Sequence, residues 1–236
     1  MNQRAILARS LVAELIGTFA LVFAGAGAIV VDARTHAIGH VGIAISFGLA
    51  IMVMIYAVGH ISGAHFNPSV SFAFALTRHF PWTRVAGYWT AQVGGALLAA
   101  GILRASLGNH VHVGATLPAG SQGQAFLWEA VLTFLLMFVI MAVATDTRAV
   151  GEAAAIAIGG TVGLDAMFGG PISGASMNPA RSLGPAVVSG DLHALWVYLV
   201  APLLGASVAA VAYQFVRGEQ IRPGELTATR TGERVA

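Results

Sequence analysis

The chain has 236 residues, of which 57% are hydrophobic and 9% charged, with a mean hydropathy of +0.78; a soluble domain carries about 25% charged residues. That composition excludes an ordinary water-soluble protein and points to one polytopic membrane domain over 1–236. All twelve basic residues are arginines, scattered so that no basic face suggests nucleic acid, and the absence of cysteine leaves no disulfide framework, thiolate nucleophile or cysteine metal site.

Taken in chain order, six apolar segments are long enough to consider as spanning helices: roughly 11–31, 41–58, 85–103, 125–145, 153–168 and 195–216. The first is too long for the apolar region of a signal peptide, and its Glu14 pattern returns later, so it reads as a span. Two further stretches, 61–76 and 172–188, are too short or interrupted to cross a bilayer and too apolar for loops, which predicts re-entrant segments. Residues 217–236 read as a polar tail.

The chain repeats itself. Glu14 with Thr18, Phe19 and Phe23 returns as Glu129 with Thr133, Phe134 and Phe138, an offset of 115. Gly59-His-Ile-Ser-Gly-Ala-His-Phe-Asn67-Pro68-Ser69 returns as Gly170-Pro-Ile-Ser-Gly-Ala-Ser-Met-Asn178-Pro179-Ala180, an offset of 111. Tyr88, Ala91, Gly95 and Ala96 return as Tyr198, Ala201, Gly205 and Ala206. Repeat one covers about 7–104 and repeat two about 123–216, each with three spans. An odd number of crossings inverts the second copy, so the fold class is an all-α membrane protein with six transmembrane helices, two re-entrant half-helices and an inverted 3+3 repeat. Leaving out Arg181, nine arginines (Arg4, Arg9, Arg78, Arg84, Arg148, Arg217, Arg222, Arg230, Arg234) against two (Arg34, Arg104) place both termini in the cytoplasm.

Asn suits a helix N-cap and Pro the first helical position, so each Asn-Pro marks the start of a half-helix. From Asn67 to about Leu76 such a helix spans roughly 15 Å, half of the ~30 Å hydrocarbon core. Two halves meeting at the centre would sum their dipoles to a positive potential that repels cations, while a neutral molecule hydrogen-bonds to Asn67 and Asn178. The unwound approaches, with Gly63 and Gly174 permitting unusual backbone, would expose carbonyls of Gly63, Ala64, His65, Gly174, Ala175 and Ser176 to a water-filled path.

These duplicated motifs, with Ser-Met-Asn-Pro-Ala-Arg in the second, resemble the major intrinsic protein (aquaporin) family from about Glu14 to Phe215. The first motif departs from the usual Asn-Pro-Ala by Ser69, which adds a hydroxyl and leaves the cap intact. The resemblance implies that Glu14 and Glu129 are buried braces for the re-entrant loops; in their own right, ionisable residues inside spans need partners. It also implies a constriction of Phe47, Ala166, Ala175 and Arg181, in a homotetramer with one pore per subunit in the plasma or inner membrane. An alternative for Arg181 is an ion pair with Asp165, whose role stays open. His60, His65 and His79 are assigned to backbone bracing.

Water-selective members carry histidine at the position of Ala166; two alanines leave a wider, partly apolar opening suited to solutes larger than water. Ser182 followed by Leu-Gly-Pro-Ala, and Trp196 to Pro202, look like the nodulin-like intrinsic proteins, a branch associated with glycerol and neutral metalloid hydroxides such as arsenious, boric or silicic acid. Phe47 departs from that branch's usual tryptophan or small residue. The expected function is a passive channel for water and small uncharged solutes, without cofactor, metal or catalysis. The alternatives are a strictly water-selective pore and an ion-coupled transporter, which normally needs midplane carboxylates where this chain offers Asn67 and Asn178. An adhesive role leaves the costly Arg181 unexplained, and no nucleophile-base pair or phosphate loop supports an enzyme.

Overall fold

The computed structural model describes residues 2–146 and 153–218. The tail beyond 218, with Arg222, Arg230 and Arg234 of the arginine count, and the stretch 147–152, with Arg148, lie outside the described residues. The elements are α1 (Gln3–Thr35), α2 (Gly39–Ser62), α3 (Pro68–Leu76), α4 (Trp82–Leu107), α5 (Val111–Gly114), α6 (Gln122–Thr145), α7 (Ala154–Ser173), α8 (Pro179–Ser189) and α9 (Leu195–Arg217). Six of them, α1, α2, α4, α6, α7 and α9, are long and apolar enough to cross a membrane. Among the described residues there is no strand.

Local chemistry sets the ends. Asn2 caps α1 by accepting the Arg4 amide, and Ser121 caps α6 by accepting that of Gln124. At 33 residues, α1 is about 50 Å long, so it must tilt or project from a ~30 Å core. α7 runs to Ser173, five residues past the apolar segment that predicts it, although it contains Pro171. Proline has no N–H for the Met167 carbonyl four residues back. His40 Nε2 sits 2.6 Å from that oxygen and satisfies it. α5, which the apolar pattern does not predict, is one turn with left-handed φ at Val111, His112 and Val113.

Packing follows the repeat. α1 lies against α4 and α2, and α6 correspondingly against α9 and α7. Glycine makes the close approaches possible: a Cβ on Gly95 would fall 2.3 Å from the Leu15 carbonyl oxygen, and one on Gly205 would fall 2.1 Å from that of Ala130. The inversion axis passes between α2 and α7. There Gly48 and Gly159, 111 positions apart, meet reciprocally, a Cβ on either falling 2.6 Å from the other's carbonyl oxygen. The half-helix α3 reaches across to α9 and α8 packs on α4, so each repeat's half-helix leans on the last span of a bundle.

Candidate functional site

The two half-helices begin head to head. Asn67 Oδ1 accepts the Ser69 amide at 2.9 Å, and Asn178 Oδ1 accepts those of Ala180 and Arg181 at 3.0 and 3.2 Å, with Pro68 and Pro179 at the first helical position. The amide nitrogens tie one repeat to the other: Asn67 Nδ2 donates to the Met177 carbonyl at 2.7 Å and Asn178 Nδ2 to that of Phe66 at 2.9 Å. An amide nitrogen carries two hydrogens, so one on each asparagine is left for the lumen that both line. The Ser69 hydroxyl points elsewhere, buried without a partner among the described residues.

Two buried carboxylates hold the approaches to these caps. Glu14 Oε1 accepts the Ser62 hydroxyl and His65 amide at 2.7 and 2.9 Å, and its Oε2 the Phe66 amide and Gln92 Nε2 at 2.7 and 2.8 Å. Glu129 Oε1 accepts the Ser173 hydroxyl and Ser176 amide at 2.8 and 2.9 Å, and its Oε2 the Met177 amide at 2.8 Å. Because these amides turn inward to carboxylate, the peptide carbonyls of the same segments turn to the opposite side. The backbone that does this carries the unusual geometry expected at the glycines, and carries it beyond them. Gly63, Ala64 and Phe66, and again Gly174, Ala175 and Met177, have φ between +41° and +88°, a left-handed geometry that non-glycine residues adopt only when neighbours hold them. Tyr88 and Tyr198 complete the brace by donating to the Ser62 and Ser173 carbonyls at 2.7 and 2.6 Å.

The lumen between the halves has a volume of about 210 Å³. Gly63, Ala64, His65, Ala175 and Ser176 line it, whereas Gly174 does not. Towards the face opposite the chain's start it is bounded by Phe47 of α2, Ala166 of α7, Ala175, and Arg181 of α8. Arg181 is 1% exposed. Its Nη1 donates to the Gly114 carbonyl at 2.8 Å, its Cζ lies 4.9 Å from the Phe47 ring centroid, and Nε and Nη2 have no partner among the described residues. The ion pair with Asp165 does not form: among the described residues both Asp165 oxygens are buried without a partner, and Arg181 takes the Gly114 carbonyl instead. Towards the other face, Ile55, Ala64, Val70 and Ile158 line the same lumen. Ile55, Ala64 and Val70 sit 111 positions before Ala166, Ala175 and Arg181, and Ile158 sits 111 positions after Phe47.

Among the three histidines, His79 has a hydrogen-bond partner in the Thr77 backbone. His65 Nδ1 meets the Ser71 hydroxyl at 2.9 Å with its ring among Phe74, Phe80 and Tyr88, and His79 Nδ1 meets the Thr77 hydroxyl at 3.1 Å. His60 lines a groove on the surface of α1 and α2. Outside the spans, His79 is held below the usual histidine range by partial burial and by Arg217. Sequence reasoning missed Gly114, which lies outside both repeats, and Gln92, whose counterpart position 202 is proline. The Ser62 and Ser173 hydroxyls were available as the duplicated Ile-Ser-Gly-Ala.

A narrow lumen threading six apolar spans, closed on each side by a capped half-helix, defines a pore-forming membrane protein. Residues 1–213 match the model of the major intrinsic protein family. Aquaporin NIP1-1 of Oryza sativa subsp. japonica is 54% identical over 211 residues, 89% of this chain and 74% of that protein. Nodulin-26 of Glycine max is 53% identical over 211 residues, 89% of this chain and 78% of that protein. The X-ray structure of the aquaglyceroporin from Plasmodium falciparum matches with a TM-score of 0.77 and 27% identity, covering 90% of this chain and 97% of that one. The chain belongs to the major intrinsic protein, or aquaporin, family, on the side of its NIP members. It is a multi-pass membrane channel for water and small neutral solutes, and not an enzyme.

Proposed function

We propose that this channel passes solutes larger than water, glycerol and neutral metalloid hydroxides among them, through a filter of Phe47, Ala166, Ala175 and Arg181. The carrying observation is the pair of alanines facing Phe47 and Arg181 around one lumen. A methyl at each of two positions leaves room for a carbon-bearing flank, while the unpartnered Nε and Nη2 of Arg181 supply donors to a hydroxyl. Glu14 and Glu129 act as loop braces. The carbonyls of Gly63, Ala64, His65, Ala175 and Ser176 form the acceptor ladder, and Asn67 and Asn178, seated with Pro68, Ser69, Pro179 and Ala180 at the two helix starts, provide the central donors. Two helix N-termini and a buried guanidinium at one lumen disfavour cations, so ions and protons are excluded.

The NIP likeness and the aquaglyceroporin likeness support the solute range. The arginine-rich face, which carries the start of α1 and the end of α9, is assigned to the cytoplasm of a plasma or inner membrane. A homotetramer with one pore per subunit completes the reading; exposed apolar residues such as Val12, Ile16, Leu49 and Val53 on α1 and α2 suit lipid or a neighbouring subunit.

Stopped-flow light scattering on proteoliposomes tests the filter with water, glycerol and boric acid. Wild type passes all three, and Ala166→His keeps water while losing the larger two. Wild type that conducts water alone would overturn this reading in favour of a strictly water-selective pore.

A further inference from the structure

We propose that Gly25 of α1 is a specificity-determining residue: its missing side chain is the seat of the Phe47 ring, so the α1 backbone sets the width of the lumen at Arg181 from behind. The inference rests on the filter assigned to Phe47 and Arg181 above.

A Cβ on Gly25 would fall 2.0 Å from Phe47 Cε1, 2.2 Å from Cδ1 and 2.5 Å from Cζ. One edge of the ring therefore occupies the volume that any other residue at position 25 would fill. The ring also lines the lumen and lies 4.9 Å from the guanidinium carbon of Arg181. The adjoining α1 residue backs the second half of the same pair. Gly114 has φ +70°, and a Cβ there would fall 2.8 Å from the Ala26 carbonyl oxygen; the Gly114 carbonyl is the one that holds Arg181 Nη1. Two successive residues of α1 thus support the ring and, through Gly114, the guanidinium. The second repeat solves the same place differently. Ile140 stands 115 positions after Gly25 and itself lines the lumen, whereas at Gly25 a ring brought in from α2 takes that room.

Carbon atoms pack at about 3.5–4.0 Å, so a methyl at position 25 must push the ring edge back by roughly 1.5–2 Å. Behind the ring is helix backbone, and the open side is the lumen. That displacement is smaller than a water molecule, about 2.8 Å across, so it weighs most on a solute with a carbon skeleton. Around one methylene of misfit is worth about 10- to 200-fold in discrimination.

The experiment compares wild type, Gly25→Ala, Phe47→Ala and the double variant in proteoliposomes, reading water and glycerol permeability on the same vesicles. Gly25→Ala is expected to lower the glycerol-to-water permeability ratio by about tenfold or more, and removing the ring in the double variant restores glycerol flux to the level of Phe47→Ala alone. An unchanged ratio in a water-conducting Gly25→Ala overturns the inference. So does a double variant that stays closed to glycerol while Phe47→Ala is open. If Gly25→Ala conducts neither solute, recovery in the double variant supports the ring as the obstruction, and no recovery overturns it. Should wild type itself pass no glycerol, the filter assignment fails, and the seat of the ring is then read on water alone: Gly25→Ala lowers it and the double variant recovers it, or the inference falls too.

Discussion

Replacing Glu129 by alanine removes the acceptor of three buried donors, the Ser176 and Met177 amides and the Ser173 hydroxyl. Each buried donor left without a partner costs about 1–3 kcal/mol. Ser176 lines the lumen, where water can re-satisfy part of the loss, so a total of about 3–5 kcal/mol follows from the lower half of that range. For a chain of this size 1 kcal/mol moves the melting temperature by about 2–4 °C, which sets the expected drop at roughly 10 °C. Glu129→Gln keeps one carbonyl oxygen but turns an NH2 towards a donor, and should lose about half as much. Glu14→Ala should lose at least as much as Glu129→Ala, because it strands two amides, the Ser62 hydroxyl and one contact of Gln92. The assay is the fraction of monodisperse protein after heating in detergent, paired with water permeability of the reconstituted variant. A drop below about 2 °C for Glu129→Ala, with permeability unchanged, would refute the view that this carboxylate organises the loop.

Three further perturbations follow. Asp165→Leu removes two buried carboxylate oxygens that have no partner among the described residues and should raise stability by about 1–3 kcal/mol; a lower melting temperature would mean that the carboxylate has a partner it needs. Gly205→Val puts a branched side chain where even a Cβ meets the Ala130 carbonyl oxygen at 2.1 Å, so α6 and α9 must separate and folded yield on size exclusion should collapse; normal yield refutes the packing argument. His79 sits below its ordinary value, so the folded state prefers it neutral. Its contribution is complete above the unfolded pKa of about 6.5 and fades as pH falls through that value. The acid-side decline in stability between about pH 7 and pH 5 should be shallower in His79→Gln, and equal slopes would remove His79 from the account.

The spans were legible because lipid demands long apolar runs, and the inversion because three spans per copy is an odd number. Helix starts at Asn67 and Asn178 were legible for a local reason: an Asn-Pro cap needs only its own neighbours. What crosses between repeats was not. The Asn67 to Met177 and Asn178 to Phe66 hydrogen bonds exist only once the two half-helices meet, and no spacing within either repeat encodes them. The left-handed backbone at Ala64 and Ala175 was hidden in the same way, since alanine carries no signal for positive φ and the carboxylates that impose it come from other helices. The ends of α2 and α7 fall later than apolarity suggests, because glycine and proline there read as punctuation. In α7 the carbonyl that Pro171 frees is met by His40, a contact 127 positions away.

The lumen's two mouths descend from one repeated pattern and have diverged in chemistry: Phe47 and Arg181 at one end, Ile158 and Val70 at the corresponding places of the other. A passive conduit cannot turn that difference into one-way flow. With equal concentrations on both sides the net flux is zero whatever lines the ends, because each barrier is climbed in both directions. The difference shows instead in who can block the conduit and from where. A compound with hydroxyl acceptors finds the free Arg181 donors at the arginine mouth, while an apolar plug finds its complement at the isoleucine mouth, so inhibitors added to opposite sides of a vesicle should obey different chemistry while the solute they stop is the same.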